Sequence, residues 1–234
     1  MPNKMSAQFM LGITTLSTNL RQSRKVNKLI IMKQEIELKF HIESDDIKKL
    51  YELELLKPFL QTHKKQLLVS TYFDTPDLDL TKDKMALRVR EIDGQYWQTI
   101  KAVGQTENGL STRSEWEYKL SSNKPTLAFL PADLQNQLQP YEKNWKPIFI
   151  TDFTRDSWQI VLSKAQHIEL ALDVGSIKVN DKHQESLCEV EVEIIEGDLN
   201  HLMQFAELLK QHLNLKPLDQ SKAARGYALL NHAV

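Results

Sequence analysis

The chain has 234 residues, of which 41% are hydrophobic and 26% are charged, a composition typical of one globular domain with a sizeable core. Its 30 basic and 31 acidic residues give a net charge of −1, which argues against a protein that coats nucleic acid, because such a protein carries a basic excess. The single cysteine, Cys188, excludes an intramolecular disulfide and a zinc site built from cysteines. No apolar run approaches the roughly 20 residues that a membrane-spanning helix needs.

The amino-terminal segment differs in composition from the rest of the chain. Residues 1–34 contain no acidic residue but carry Lys and Arg among many Ser, Thr, Asn and Gln, a composition similar to that of a transit peptide. Met32 directly precedes the first strand-like run, so residues 1–31 are alternatively an extension upstream of the true start. We predict a basic, disordered extension over residues 1–31 and one domain over residues 32–234.

The sequence of the first half of this domain predicts five strands and one helix. Ser44-Asp45-Asp46 supplies an N-cap and an acidic first turn for a helix that reaches about residue 57. Asp93-Gly94 is the strongest hairpin signal in the chain, so the strands on either side of it should pair antiparallel. The predicted strands are residues 34–42, 65–74, 85–92, 95–103 and 112–120.

The second half predicts three more strands, between a helical piece near residues 125–138 and two terminal helices. GSIKVNDK, residues 175–182, is interpreted as a turn-rich connection between two strands. Asp198 caps an amphipathic helix, and a short last helix runs through SKAARGY. The predicted strands are residues 148–162, 167–174 and 187–195. The amphipathic helix carries on one side Leu199, Leu202, Met203, Ala206 and Leu209.

Charged residues are sorted along one face of the predicted strands. In EIELKF, residues 35–40, the charged side chains share one face and the apolar ones share the other, because successive side chains on a strand alternate. The late run EVEVEI, residues 189–194, repeats this pattern with three acids. Arginines instead mark the middle strands. The acidic set is Glu35, Glu37, Glu189, Glu191 and Glu193, and the basic set is Lys39, Arg88, Arg90, Lys101, Arg113 and Arg155.

Eight strands with few long helices favour an α+β fold, in which a closed antiparallel barrel has helices packed outside. In such a barrel the apolar faces meet the helices and the charged faces line the lumen. Unpaired charges in a dry interior would be prohibitive, so the lumen must be wet and must balance its charges with a ligand. Many cations require a multiply anionic ligand, and paired carboxylates suit divalent ions that bridge to phosphates. The sequence therefore predicts a phosphate-chain site with metal ions.

The ordered set of motifs resembles the CYTH superfamily of triphosphate tunnel metalloenzymes over residues 33–230. EIELKF matches the family's ExExK signature, and YFDT, ALRVRE, RSEWEY, DFTRDSW and SKAARGY follow in the family's order. The chain looks most like bacterial inorganic triphosphatases, particularly the amino-terminal part of those that continue into a helical CHAD domain. We expect that second domain to be missing here, naturally or by truncation. The resemblance implies an eight-stranded antiparallel tunnel that binds tripolyphosphate along its axis.

Residues and resemblance together indicate metal-dependent hydrolysis of tripolyphosphate to pyrophosphate and phosphate. We expect two divalent ions, Mg²⁺ or Mn²⁺, one bridging the phosphates at the late acidic strand and one activating water at the first strand. The expected catalytic residues are Glu35, Glu37 and Lys39; the metal ligands are Glu35, Glu37, Glu189, Glu191 and Glu193; the phosphate-binding residues are Lys39, Arg88, Arg90, Lys101, Arg113, Arg155 and, by the resemblance, Lys222 and Arg225.

Alternatives stay open at this point. Thiamine triphosphatases and class IV adenylate cyclases belong to the same superfamily, and a non-catalytic binder of polyphosphate or nucleotides would need the cations but no metal pair. Asp173 shares a face with the charged set and either lines the lumen or pairs with an arginine, as do Glu115, Glu117 and Glu169. Tyr72 and Asp74 lie either close to the substrate or in packing at the end of a strand, and we favour packing. We expect a triphosphate partner, no nucleic acid or membrane, and a cytoplasmic location.

Overall fold

Eight long antiparallel strands close into a barrel in the computed structural model, which describes residues 31–233. The strands are β1 (Ile31–His41), β2 (Lys64–Asp74), β3 (Ala86–Ile92), β4 (Gln95–Glu107), β5 (Leu110–Leu120), β6 (Lys146–Ser163), β7 (Gln166–Lys178) and β8 (Gln184–Glu196). Their order around the barrel is β1, β5, β4, β3, β2, β6, β7 and β8. The barrel closes because β1 pairs with both β5 and β8, which confirms the predicted fold.

Helices pack on the outer surface of the barrel and at one of its ends. They are α1 (Ser44–Glu52), α2 (Asp79–Lys82), α3 (Ala132–Leu138), α4 (Leu199–Lys210) and α5 (Lys222–Asn231). A two-residue strand, β9 (Lys216–Pro217), pairs with the end of β1. The extension predicted over residues 1–31 lies outside the described residues, except that Ile31 begins β1. Within residues 31–233, no helix is both long and apolar enough to cross a membrane.

Two predicted helices are shorter in the structure. The first α-helix ends at Glu52 instead of about residue 57, because Leu53 adopts an extended backbone with φ of −61° and ψ of 122°. A 3-10 helix, Glu54–Thr62, follows and contains Pro58, which has no backbone N–H for an α-helical hydrogen bond. The helical piece predicted near residue 125 begins only at Ala132, because Pro131 disfavours helical geometry in the residue before it.

The turn predicted from Gly175 onward lies further along the chain. Residues 175–178 instead extend β7, paired with β6 through the register Phe153 to Gly175. A Cβ at Gly175 would lie 2.2 Å from the carbonyl oxygen of Asp152 and 2.5 Å from the Cα of Phe153. Glycine therefore stands here because two strands approach closely, a case that sequence alone does not distinguish from a turn.

The capped helix α4 is confirmed, but its buried side is rotated from the predicted one. The carboxylate of Asp198 accepts a hydrogen bond from the backbone N–H of His201. Leu199 and Met203 are 40% and 39% exposed, while Phe205 is buried in their place. The buried set, Leu202, Phe205, Ala206 and Leu209, follows the three-to-four-residue spacing of one helix face.

The apolar faces of the strands point outward, under the helices. One cluster joins residues such as Leu38 and Val192 from β1 and β8 to α1 and α4. A second cluster joins residues such as Leu87 and Ile100 from β3 and β4 to the segment around α2 and α3. Because side chains alternate along each strand, this outward apolar face turns the charged side chains into the barrel.

Helix α5 packs against β6 at one end of the barrel. Tyr227 of α5 packs edge-on against Phe149 of β6, with ring centroids 5.3 Å apart. The hydroxyl of Tyr227 donates a hydrogen bond to the carboxylate of Asp74. Asp74 is fully buried and also accepts backbone N–H groups of Thr75 and Leu80. The interpretation of Asp74 as a packing residue agrees with these contacts, since it ties β2 and α2 to α5.

Gly226 should be essential for this docking. A Cβ there would lie 2.2 to 2.5 Å from ring carbons of Phe149, so Gly226→Ala should lower the free energy of unfolding by about 1–3 kcal/mol, as overpacking does. Helix propensity alone predicts the opposite sign, a gain of about 1 kcal/mol. Urea unfolding measures the change. The control is Ala228→Ser on the exposed side of α5, and a stabilised Gly226→Ala variant would contradict the packing described here.

Candidate active site

The barrel encloses a cavity of about 540 Å³ lined by charged side chains. Most of the predicted site residues line it: Glu35, Glu37, Lys39, Arg88, Arg90, Lys101, Arg113, Arg155, Glu191, Glu193 and Lys222. Glu189 and Arg225 do not line it; they lie behind this layer, where the guanidinium of Arg225 donates to the carboxylates of Glu185 and Glu189. Strand alternation therefore brings residues far apart in the sequence into one lumen.

The first strand is fixed at the site through its backbone as well as its side chains. Lys39 donates its backbone N–H to the carbonyl of Gly109, at 2.9 Å, and its own carbonyl accepts the N–H of Leu218, at 3.0 Å. Asp219 accepts the N–H of Gly109 at 2.6 Å. The tip of the β4–β5 hairpin and the segment before α5 thus hold Lys39 in place.

Glu35 and Glu37 of β1 are paired with cations from neighbouring strands. Glu35 accepts from Nζ of Lys101 at 2.8 Å and from Nε of Arg113 at 2.6 Å. Glu37 accepts from Arg113 at 2.8 Å and from Lys39 at 3.1 Å. Burial tends to raise the pKa of Glu35, but Lys101 and Arg113 outweigh it and hold that pKa well below its usual range. Both carboxylates are nearly inaccessible, at 6% and 2% exposure.

A second acidic cluster joins β7 to β8 and surrounds one ammonium group. Asp173, Glu189 and Glu191 have carboxylate oxygens within 4.8 Å of one another. Nζ of Lys222, from α5, pairs with all three, at 2.7 Å from Asp173 and 2.9 Å from Glu191. Arg155 makes a bidentate contact with Asp173 at 2.7 and 2.6 Å. Burial opposes the charge of Lys222, but the three acids outweigh it and raise the pKa of its ammonium.

The sequence left the role of Asp173 open, and the structure places this residue at the centre of the cluster. Its register partner is Glu189, so the two carboxylates meet across β7 and β8. Glu193 of the predicted metal set faces the lumen but does not join the cluster. Oxygen ligands of this kind suit Mg²⁺ and Mn²⁺, so the residues fit a divalent ion that replaces the Lys222 ammonium.

Arg88 and Arg90 of β3 differ from the other lumen cations. Within residues 31–233, neither guanidinium forms an ion pair with a carboxylate; Arg88 donates to Thr99 at 3.2 Å and Arg90 donates to Ser70 at 2.9 Å. Burial and the nearby guanidinium groups of Arg88 and Arg155 lower the pKa of Arg90 to about 9. Among residues 31–233 the lumen thus contains two guanidinium groups without a direct carboxylate partner, and these can accept the oxygens of a polyanionic ligand.

Tyr72 and Lys84 also line the cavity, although the sequence did not assign them to it. Tyr72, interpreted as a packing residue, does stack on Phe149 with centroids 4.5 Å apart, but it also faces the lumen. Burial tends to raise the pKa of Tyr72, and Arg88 and Arg90 outweigh it and lower that pKa. Lys84 lies in the turn before β3 with φ of 57° and lines the cavity from an exposed position. In the sequence, only the positive charge of Lys84 next to ALRVRE could have indicated its place at the cavity.

Comparison with known proteins identifies the family. The family model of the CYTH domain matches residues 33–227. The chain belongs to the CYTH family. It is 35% identical over 204 residues to an inorganic triphosphatase of Haemophilus influenzae, an alignment that covers 85% of this chain and 56% of the relative. The chain therefore spans little more than half the length of that CYTH protein.

Solved structures share the CYTH fold of this chain. A Hippeastrum protein, described as a candidate adenylyl cyclase with a dominant triphosphatase activity, has a TM-score of 0.60 and 19% identity, with 83% of this chain and 95% of that one covered. A candidate adenylate cyclase from Bacillus halodurans has a TM-score of 0.56 and 21% identity, with coverage of 83% and 97%. At these identities the likeness concerns the fold alone.

The Lys222 ammonium should stabilise the folded CYTH domain. Lys222→Met leaves three buried carboxylates short of one cation, so the free energy of unfolding should fall by about 3 kcal/mol, as when a buried pair loses one partner. Millimolar Mn²⁺ should recover more stability in this variant than in the wild type, because the ion can take the vacated position. Urea unfolding with and without Mn²⁺ measures both effects.

The control for this variant is Lys216→Met, whose exposed ion pair with Glu43 at 2.9 Å contributes little. Equal unfolding free energies for the two variants would contradict a structural role of Lys222. Equal effects of Mn²⁺ on wild type and Lys222→Met would contradict the metal-binding capacity of the cluster.

Proposed function

We propose that this CYTH protein hydrolyses inorganic tripolyphosphate to pyrophosphate and phosphate, with Mg²⁺ or Mn²⁺ as cofactor. The main observation behind this proposal is a closed lumen in which Arg88 and Arg90, among the described residues, form no direct ion pair with a carboxylate, while a carboxylate cluster stands on the opposite strands. The inorganic triphosphatase of Haemophilus influenzae, 35% identical, supports this choice of substrate.

The phosphate chain would be bound by side chains. Arg88 and Arg90 are the first contacts, because within the described residues neither is held in a direct ion pair with a carboxylate. Lys39, Lys101, Arg113 and Arg155 would then exchange part of their ion pairs for phosphate oxygens, which are equally good acceptors of charge-assisted hydrogen bonds. Lys222 would contribute from α5, and Arg225 would support it through Glu189.

The residues proposed for catalysis lie on β1. Glu37 is held by both Lys39 and Arg113, so its carboxylate has a fixed position from which to orient a water molecule for in-line attack on the terminal phosphorus. Lys39 and Arg113 would face the charge that develops on the phosphoryl oxygens. Divalent ions at Glu35 and Glu37 and at Asp173, Glu189, Glu191 and Glu193 would neutralise phosphate charge and lower the pKa of a bound water.

A substrate panel tests the proposal. Purified protein is given tripolyphosphate, ATP and thiamine triphosphate with Mg²⁺, with Mn²⁺ and with chelator, and phosphate release is measured. We expect metal-dependent release with tripolyphosphate strongly preferred. Preferred release from thiamine triphosphate would change the substrate, and conversion of ATP to cyclic AMP and pyrophosphate would indicate a cyclase. Tight tripolyphosphate binding without any release would favour a binding module and contradict hydrolysis.

Glu37→Gln should separate turnover from binding. The amide keeps the shape of the side chain but cannot accept a proton or bind a cation as a carboxylate does, so kcat should fall by about 10²-fold or more. Tripolyphosphate affinity should stay within a few-fold of wild type, because Lys39 and Arg113 lose a competing anion. The control is Glu91→Gln on the exposed face of β3, which should keep wild-type kinetics. A Glu37→Gln enzyme with the wild-type rate would refute this role.

A further inference from the structure

One buried aromatic ring inside the barrel lies close to three of the lumen cations. Phe153 of β6 has the Nζ of Lys222 at 5.0 Å from its ring centroid, and the guanidinium carbons of Arg90 and Arg155 at 5.6 and 5.9 Å. All three distances fall within the roughly 6 Å over which a cation is attracted to an aromatic face. These cations come from three separate elements, α5, β3 and β6.

Phe153 is built into this position by its neighbours. Its side chain is 1% exposed and lies in an apolar cluster with Leu68, Ile177 and Leu187, which occupies part of the barrel interior. Gly175 stands opposite it in β7, and any Cβ there would be 2.5 Å from the Cα and Cβ of Phe153. The ring is therefore fixed by apolar packing and also lies close to cations.

The ring counteracts the repulsion of Arg90 by Arg88 and Arg155. Lys222 and Arg155 have carboxylate partners in Asp173 and Glu191. Arg90 forms no ion pair with a carboxylate among the described residues, and it contacts the hydroxyl of Ser70 and the face of the ring instead. The negative face of an aromatic ring attracts a cation without neutralising it, so Arg90 keeps its full charge for a ligand. A carboxylate in the same place would instead compete with phosphate.

We propose that Phe153 is a positioning residue for the phosphate site, holding Arg90 where a polyphosphate chain meets it beside Lys222 and Arg155. This inference rests on the proposed binding of tripolyphosphate. If the ring holds Arg90 through its negative face, the affinity for tripolyphosphate depends on the electron density of the ring. If the ring only fills space, that affinity depends on the size and shape of the side chain alone. The two roles can therefore be separated by changing the ring electronics at nearly constant shape.

The test replaces Phe153 with mono-, di- and trifluorinated phenylalanine, incorporated at that codon, because successive fluorines withdraw charge from the ring face. We expect KM for tripolyphosphate to rise stepwise, by about ten-fold at three fluorines, while kcat stays within about two-fold. Dissociation constants from calorimetry should rise in parallel. Phe153→Leu, which keeps an apolar side chain, should resemble or exceed the trifluorinated protein.

The matched control is Phe205 of α4, which is buried in the outer core; the same fluorinated residues there should leave KM unchanged. Thermal unfolding of each protein checks that the fold is kept. A KM that stays constant along the Phe153 series, in a protein that hydrolyses tripolyphosphate, would overturn the positioning role alone. If the wild type neither hydrolyses nor binds tripolyphosphate, the proposed function has failed and the role of Phe153 in phosphate binding falls with it.

Discussion

The structure depends on the neutralisation of charge inside a closed barrel. Once β1 pairs with both β5 and β8, its outward apolar residues are covered and Glu35, Glu37 and Lys39 are left almost buried inside the barrel. Each buried ion would then carry a large desolvation cost. The lumen meets this constraint by pairing nearly every acid with a cation on a neighbouring strand or on α5. The order of the strands around the barrel therefore decides which charged side chains can neutralise one another in the lumen.

Such pairs add little net stability, because the Coulomb attraction is largely consumed by desolvation. Apolar residues of similar size would stabilise the barrel at least as well. A lumen of ion pairs is consequently better understood as a binding surface kept folded by mutual neutralisation than as a device for stability. The apolar clusters on the outside supply the stabilising contribution.

The exceptions to the pairing are informative. Among the described residues, Arg88 and Arg90 donate hydrogen bonds to hydroxyl groups, those of Thr99 and Ser70, and Arg90 faces the ring of Phe153. Hydroxyl groups and an aromatic face can hold a guanidinium without cancelling its charge. The acidic cluster at Asp173 has the reverse character, since three carboxylates surround the ammonium of Lys222. The proposed anionic substrate and divalent ion would each use one of these two arrangements.

The sequence by itself determined the alternation of the strands, and with it the choice of face. EIELKF and EVEVEI place their charges on one side by the two-residue period of a strand, and the amphipathic helices required the other side. From this the closed barrel, the charged lumen and most of its charged lining residues could be predicted. Helix ends were less accurate, because the extended backbone at Leu53 and the effect of Pro131 on the residue before it are local features that a periodic pattern does not register.

Only the tertiary structure decided which charges meet. The register of β7 on β8 sets Asp173 beside Glu189, and the docking of α5 places Lys222 among them. Contacts between segments far apart in the chain bring two strands close together at Gly175. Such contacts also place cations next to Phe153. A strand pattern fixes the face of a residue but carries no information on its cross-strand partner, because register depends on how the whole barrel closes.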